Sequence, residues 1–290
     1  MKIVKYIGGL GNQMFIFAFS FLLHKKFNET IYADTFYYKD HKFHNGLELE
    51  RIFNIHLHRA SVWKVIRLSW FFPNYYLDYH LRDLLPKRKT MYTEPADDRA
   101  FKDSALENVK NRYYFGFWQD HRYYDGIKEE LIKAFKFKLS LSSRNTETMR
   151  MISTSENSVG IHVRRGDYVT HPAYKDICTI EYYQHAIELI NTRLSCPSFY
   201  IFSNDIDWCR SNIEPLLNGY NVQYVDWNKG NESYVDMQLM SQCKNLIIAN
   251  SSFSWWAAYL NPRNPFVIAP DKWVNKKLTF RVQLDEWHLI

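Results

Sequence analysis

Val159-Gly160-Ile161-His162-Val163-Arg164-Arg165-Gly166-Asp167-Tyr168 is the stretch that decides how the chain is read. Val159 to Val163 form a short apolar strand, which gives way at once to two arginines, a glycine and an acid. Side chains alternate along a strand, so His162 and Arg164 share one face while Val163 packs on the other. Arg165 and Asp167 fall at the turn made by Gly166. A guanidinium at a strand end can grip a phosphate through its planar fork of donors. An Arg–Asp pair that only fixes the turn is equally compatible with these residues.

Outward from this strand the pattern is regular. Helical spacing over 180–194 is followed by a strand over 198–202 and another over 222–225. A helix over 234–243, a strand over 246–249, a helix over 251–260 and a strand over 266–269 complete it. Strands alternating with helices predict a parallel sheet with right-handed crossovers, whose ligands bind beyond the C-terminal strand ends. Two further polar segments fall at such ends. In Phe202-Ser203-Asn204-Asp205 a carboxylate could accept the paired donors of a guanine edge, although Asn204 or Asp205 capping the next helix explains the same residues. In Asn250-Ser251-Ser252-Phe253-Ser254-Trp255-Trp256, hydroxyls at a helix N-terminus suit an anion. Trp255 and Trp256 are read as packing the helix onto the sheet.

The first half opens as strand, glycine loop, helix. Lys2 to Ile7 is the strand, Gly8, Gly9 and Gly11 make the turn, and Asn12 is expected to cap an apolar helix reaching about Lys25. The G-x-G-x-x-G fingerprint is absent, so a tight turn without a ligand accounts for the glycines as well. Tyr113 to Trp118 is predicted to be a buried strand and 125–137 a helix. The polar stretch 140–157 is the linker candidate, with a helix over part of it as the alternative, and the chain is divided into an N-terminal domain over 1–150 and a C-terminal domain over 151–290.

Composition narrows the function. The 290 residues carry a net charge of +6, which is mild for this length. Residues 1–150 hold 25 basic and 17 acidic side chains, a net +8, against 12 and 14, a net −2, in 151–290. The basic residues are dispersed rather than striped, which speaks against a nucleic-acid binder. Four cysteines without a C-x-x-C pair, and no zinc-ligand spacing, are read as reduced, buried thiols. The apolar run near the N-terminus is broken by glycines and too short to span a bilayer, so no targeting segment or anchor is read there. Residues 61–72 are expected to form an amphipathic helix around Lys64 and Arg67. It could rest on an anionic membrane, or simply pack inside its domain.

Four motifs in order, G-G-L-G-N-Q-M-F at 8–15, H-V-R-R-G-D-Y at 162–168, F-S-N-D at 202–205 and D-x-x-L-M-x-x-C-K-x-x-I-x-x-N-S-S-F-S-W-W at 236–256, resemble the α-1,2-fucosyltransferases of glycosyltransferase family 11. The resemblance spreads over nearly the whole chain. It implies an α/β fold of the GT-B type, two Rossmann-like domains facing across a cleft, with GDP-fucose held mainly by the second. It implies inverting, metal-independent transfer of fucose to the 2-hydroxyl of a galactose, in an oligosaccharide or a lipid-linked glycan. Arg164 should then hold the diphosphate, with Arg165 as a second phosphate or turn-stabilising group. His162 and Asp205 should fix the guanine side, and Ser252 and Ser254 should complete the phosphate cradle. Asn12 and Gln13 should face fucose or acceptor from the first domain. Asp167 is the first candidate for a catalytic base, although its two arginine neighbours favour the carboxylate and make it a weak one; no metal ligands are assigned. A non-catalytic glycan- or nucleotide-binding protein on this scaffold, or a fucosyltransferase of another linkage, are the competing expectations. A cytoplasmic enzyme is expected, with no nucleic-acid partner; the basic first half and the segment 61–72 add the alternative of peripheral contact with the inner face of an anionic membrane.

Overall fold

In the computed structural model, which describes residues 1–39, 44–72, 75–81, 84–95 and 98–290, the chain divides into two units. The first comprises Met1–Lys138 with Leu278–Val282, the second Leu139–Lys277 with Gln283–Ile290.

In the first unit, β1 (Lys2–Lys5) is buried at all four positions. It leads through the glycine loop into α1 (Leu10–Phe27) and then β2 (Ile31–Asp34). Short helices α2 (Leu49–Ile52), α3 (Val62–Leu68) and α4 (Tyr75–Leu81) precede β3 (Met91–Thr93), β4 (Arg112–Phe115) and α5 (Lys128–Ala134). The four strands are parallel, in the order β2-β1-β4-β3. Tyr113 and Tyr114, neighbours on β4, point to opposite faces, as strand geometry requires. Tyr113 joins Ile3, Ala60, Val65 and Leu68 under α3. Tyr114 meets Phe19 of α1 edge-on at 5.4 Å.

α1 begins at Leu10 with Gly9 in the capping position. Asn12 therefore does not cap it but lies inside its first turn, because the chain becomes helical three residues earlier than the polar side chain suggested. At the other end Asn28 takes up φ 51° and returns its N–H to the His24 carbonyl. His24, Lys25 and Lys26 sit where positive charge meets the helix dipole. α3 covers only seven of the residues 61–72, capped by Ser61, and only Val65 and Leu68 on it are buried.

The second unit starts with α6 (Ser143–Thr154), so the stretch read as a linker is mostly helix. Two of its polar residues, Asn145 and Thr148, are buried: Asn145 donates to Asn228 Oδ1 at 2.8 Å, and the Trp227 indole donates to Asn145 Oδ1 at 2.8 Å. Then follow β5 (Ser158–Val163), α7 (Asp167–Thr170), α8 (Ile180–Arg193), β6 (Ser198–Ser203), α9 (Ile206–Asn212), β7 (Asn221–Val225), α10 (Tyr234–Met240), β8 (Asn245–Ile247), α11 (Ser252–Tyr259), β9 (Phe266–Ala269) and β10 (His288–Leu289). The sheet is parallel throughout, in the order β10-β9-β8-β5-β6-β7. All six residues of β5 are buried, as expected of a central parallel strand covered on both faces. The register Val163↔Ser203 and Ile161↔Ile247 brings the C-terminal ends of β6, β5 and β8 side by side. The three motif segments of this unit all emerge there.

Candidate functional site

At the end of β5, Arg164 Nη2 donates to Asp167 Oδ1 at 2.7 Å, and its guanidinium lies 5.2 Å from the Tyr168 ring centre. The arginine is partly covered, at 29% side-chain exposure, while the Asp167 side chain is 60% exposed. Gly166 turns the chain with φ 62° and closes on Asn204: a Cβ here would stand 2.7 Å from Asn204 Nδ2. Asn204 also accepts the Arg165 backbone N–H at 2.9 Å. The two strand-end loops are therefore tied together, and glycine is required by both the backbone angle and the close approach.

Arg165 turns away from Arg164. Its Nε donates to Asp205 Oδ2 at 3.0 Å, and its guanidinium lies 4.2 Å over the Trp208 ring. The other Asp205 oxygen accepts the Trp208 N–H at 3.2 Å and caps α9. Both carboxylate oxygens are thus engaged inside the protein, one as cap and one on Arg165. Their arrangement positions Arg165 and caps α9, while the side chain stays 38% exposed.

His162 is buried beside the Phe253 ring, 5.8 Å between centres. Burial, with the Arg164 charge as the lesser cause, pushes its pKa down to about 3, so the ring is neutral near pH 7. Its Nδ1 has no hydrogen-bond partner in the protein. The atom is closed off from solvent and shares its lack of a partner with others such as Tyr114 OH and Trp118 Nε1, so it does not by itself mark a ligand site.

The two serines of the third motif differ. Ser252 opens α11 and is half-buried at the strand ends. Ser254 is fully buried, with its hydroxyl at 3.3 Å from both the Ala249 and Ser251 carbonyls. It closes the turn into α11 and does not reach a ligand. Ser251 caps the helix through the Phe253 N–H at 3.4 Å. Trp255 and Trp256 are fully buried, as expected of packing residues.

One carboxyl given no role from the sequence is Asp236, at the start of α10 on the same rim of the sheet. It accepts from Asn228 Nδ2 at 2.8 Å, and burial raises its pKa to about 7. Its signal was present as the first letter of the last motif. Among the described residues no group of three or more His, Cys, Asp or Glu side chains could hold a metal ion.

In the first unit, the glycine loop and the end of β4 meet through Gln119, which donates to Asn12 Oδ1 at 3.0 Å. Gln13 is fully buried. Its amide donates to the Gly8 and Gly46 carbonyls at 3.0 and 2.8 Å, and its oxygen accepts the Glu48 N–H at 2.9 Å. It builds the loop and has nothing left for a ligand, whereas Asn12 remains on the rim. Beside it, Trp118 is held at φ 56°, and Glu94 accepts the N–H groups of Phe117 at 2.7 Å and Trp118 at 3.1 Å. A bulky side chain in the left-handed region persists only when its surroundings fix it. Burial lifts the Glu94 pKa to about 7. Gln119 and Glu94 left no sequence signal, because both act through partners more than 20 residues away.

Two parallel α/β units, the second with an arginine at the end of a central strand, have the layout of the GT-B fold. Comparison with known proteins narrows the class. Residues 3–290 match glycosyl transferase family 11, and the chain belongs to that family. It is 31% identical to the α-1,2-colitosyltransferase of Escherichia coli, over 95% of this chain and 93% of that protein. It is 26% identical to galactoside α-(1,2)-fucosyltransferase 2 of Hylobates lar, over 93% of this chain and 71% of that one. Among solved structures, NodZ α-1,6-fucosyltransferase soaked with GDP-fucose shares the fold with a TM-score of 0.53 at 15% identity, covering 91% of this chain and 96% of that one.

Proposed function

We propose that the protein transfers L-fucose from GDP-fucose to the 2-hydroxyl of a galactose in a glycan, with inversion and without a metal ion. The observation that carries this reading is Arg164, braced by Asp167 at the end of β5, next to the N-terminus of α11. Arg164, Ser252 and the first N–H groups of α11 bind the diphosphate. As the bond from fucose C1 to the phosphate oxygen breaks, Arg164 offsets the charge growing on GDP, and one such donor contributes ~3 kcal/mol of barrier lowering. A fixed cation takes the role of a metal here. The neutral His162 supports the nucleotide side from beneath, packed beside Phe253, and Arg165, held by Asp205, adds a second positive charge. Asp167 acts through Arg164: its Oδ1 is spent on the guanidinium, and an oxocarbenium-like path acidifies the acceptor hydroxyl as it bonds, so little base assistance is needed. Asn12, oriented by Gln119, serves the acceptor side of the first unit.

A second reading keeps the linkage and changes the donor sugar, because one relative at 31% identity is named for colitose. Incubation with GDP-fucose and lactose, followed by assay of released GDP and NMR of the product, tests the first. Failure to release GDP, or a linkage other than α-1,2, overturns it. A higher kcat/KM with GDP-colitose than with GDP-fucose favours the second. We place the reaction in the cytoplasm, where the four cysteines stay reduced; all four are free, but only Cys209 and Cys243 are buried as expected, Cys178 being half-buried and Cys196 exposed.

A further inference from the structure

Exposed large apolar side chains are concentrated in one part of the first unit. Of the eight among the described residues, six lie between Trp63 and Leu85, led by Trp63 at 80% and Leu84 at 76% exposure. The same part is basic. Residues 61–90 carry six lysines or arginines and two aspartates, and one of those acids, Asp78, is paired with Lys5. Elsewhere in the fold an exposed tryptophan standing alone would need no explanation; an apolar cluster ringed by one sign of charge does.

The patch is built, not scattered. Arg88 threads beneath the end of α3, donating to the carbonyls of Ile66, Ser69 (3.0 Å) and Arg67 (3.1 Å). Trp70 donates its indole N–H to the Pro86 carbonyl at 2.9 Å, and Thr90 its hydroxyl to the Leu68 carbonyl at 2.6 Å. These bonds clamp the segment 84–90 against α3. Val65 and Leu68 anchor the helix on the sheet, which leaves Trp63 and Ile66 facing outward with Leu84 and Leu85. Arg67, Lys87 and Lys89 are exposed around them.

We propose that this surface, α3 with segment 84–90, docks on an anionic lipid bilayer. An amphipathic indole with leucines at its side enters the headgroup boundary, and the surrounding lysines and arginines are drawn to anionic lipid. No helix among the described residues is long and apolar enough to cross a membrane, so contact of this kind is peripheral and reversible. Its purpose, bringing the first unit to a glycan carried on lipid, rests on the proposed fucosyl transfer. The binding itself does not.

Cosedimentation of the full chain with phosphatidylglycerol vesicles tests the docking. We expect binding at low salt, release at 0.5 M salt, and none to phosphatidylcholine vesicles, since screening shortens the attraction to about 3 Å at 1 M. The pair Lys87→Glu with Lys89→Glu should lower vesicle affinity at least ~10-fold, and Trp63→Ser with Leu84→Ser should lower it comparably. All four residues are exposed, and both pairs should transfer sugar to a soluble acceptor at the unaltered rate, which reads the proposed function separately. Absence of binding to phosphatidylglycerol vesicles at low salt, or variants that bind like the native chain, overturns the proposal. So does a self-association seen by sedimentation that Trp63→Ser abolishes without any vesicle binding, because a second copy would then cover the patch.

Discussion

Arg165 and Asp205 join the loops at the ends of two neighbouring strands, Nε to Oδ2 at 3.0 Å, while the second Asp205 oxygen caps α9. Asp205 is 38% exposed, so the ion pair adds little stability by itself. The cap is worth about 1 kcal/mol. Asp205→Asn keeps an acceptor for the cap and loses the charge that holds Arg165. It should melt near the native temperature and raise the GDP-fucose KM several-fold. Asp205→Ala should also melt lower. Discrimination between GDP and ADP, measured by competition, should survive both changes; its collapse would show that Asp205 reads the base directly.

Arg164→Ala should cost on the order of 100-fold or more in kcat with an intact far-ultraviolet spectrum. Asp167→Asn should cost less, about 10-fold, and leave the shape of the pH–rate profile unchanged, as expected of a residue that braces the arginine. Loss of the acidic limb of that profile in Asp167→Asn would instead make Asp167 the proton acceptor.

Gly166→Ala should act on the donor site without touching a ligand. The added methyl meets Asn204 at 2.7 Å on a backbone with φ 62°. The loop must shift, so donor KM should rise and thermal stability fall by about 1–3 kcal/mol. A variant indistinguishable from the native enzyme would mean that the two loops are not held in register there.

His162 makes stability depend on pH with a definite sign. Its pKa is about 3 in the folded chain, below the ordinary 6.5. Above about pH 6.5 the ring is neutral in both states and nothing is lost. As pH falls from 6.5 towards 3, the unfolded chain takes up a proton that the folded one refuses, and stability falls by up to ~1.4 kcal/mol per unit. Glu94 and Asp236, both raised to about 7, work the other way, favouring the folded state as pH falls from 7 towards 4.5. Only the difference between native chain and His162→Gln isolates the histidine. Denaturant midpoints at pH 5 and pH 7.5 should show the variant losing less stability on acidification. Equal slopes would mean the ring is protonated in the folded chain.

Asn12 and Gln119 should behave as one unit. Asn12→Ala and Gln119→Ala should each raise acceptor KM while leaving donor KM alone, and the double variant should cost less than the sum of the two. Strict additivity would separate them.

The sequence by itself determined the strands and most helices of the second unit from β5 to β9, though not α6 or β10. β5, β6, β8 and β9 are short apolar runs bounded by polar residues, and length with flanking turn residues leaves one reading. The chemistry could be placed because function in a parallel sheet gathers at strand ends, which are visible as the residues following each run. What the sequence could not decide is which polar atoms are already spent. Gln13 and Ser254 carry the right groups, but the fold buries them and commits them to backbone N–H and carbonyl groups, while the partly exposed Asp205 is shared between a helix cap and Arg165. That outcome depends on distances between segments far apart in the chain. The first unit shows the same limit in its purest form: Gln119 meets Asn12 across 107 positions, and segment 84–90 meets α3 through backbone carbonyls. Neither contact leaves a periodic trace, because it is made by closure of the sheet and not by local propensity.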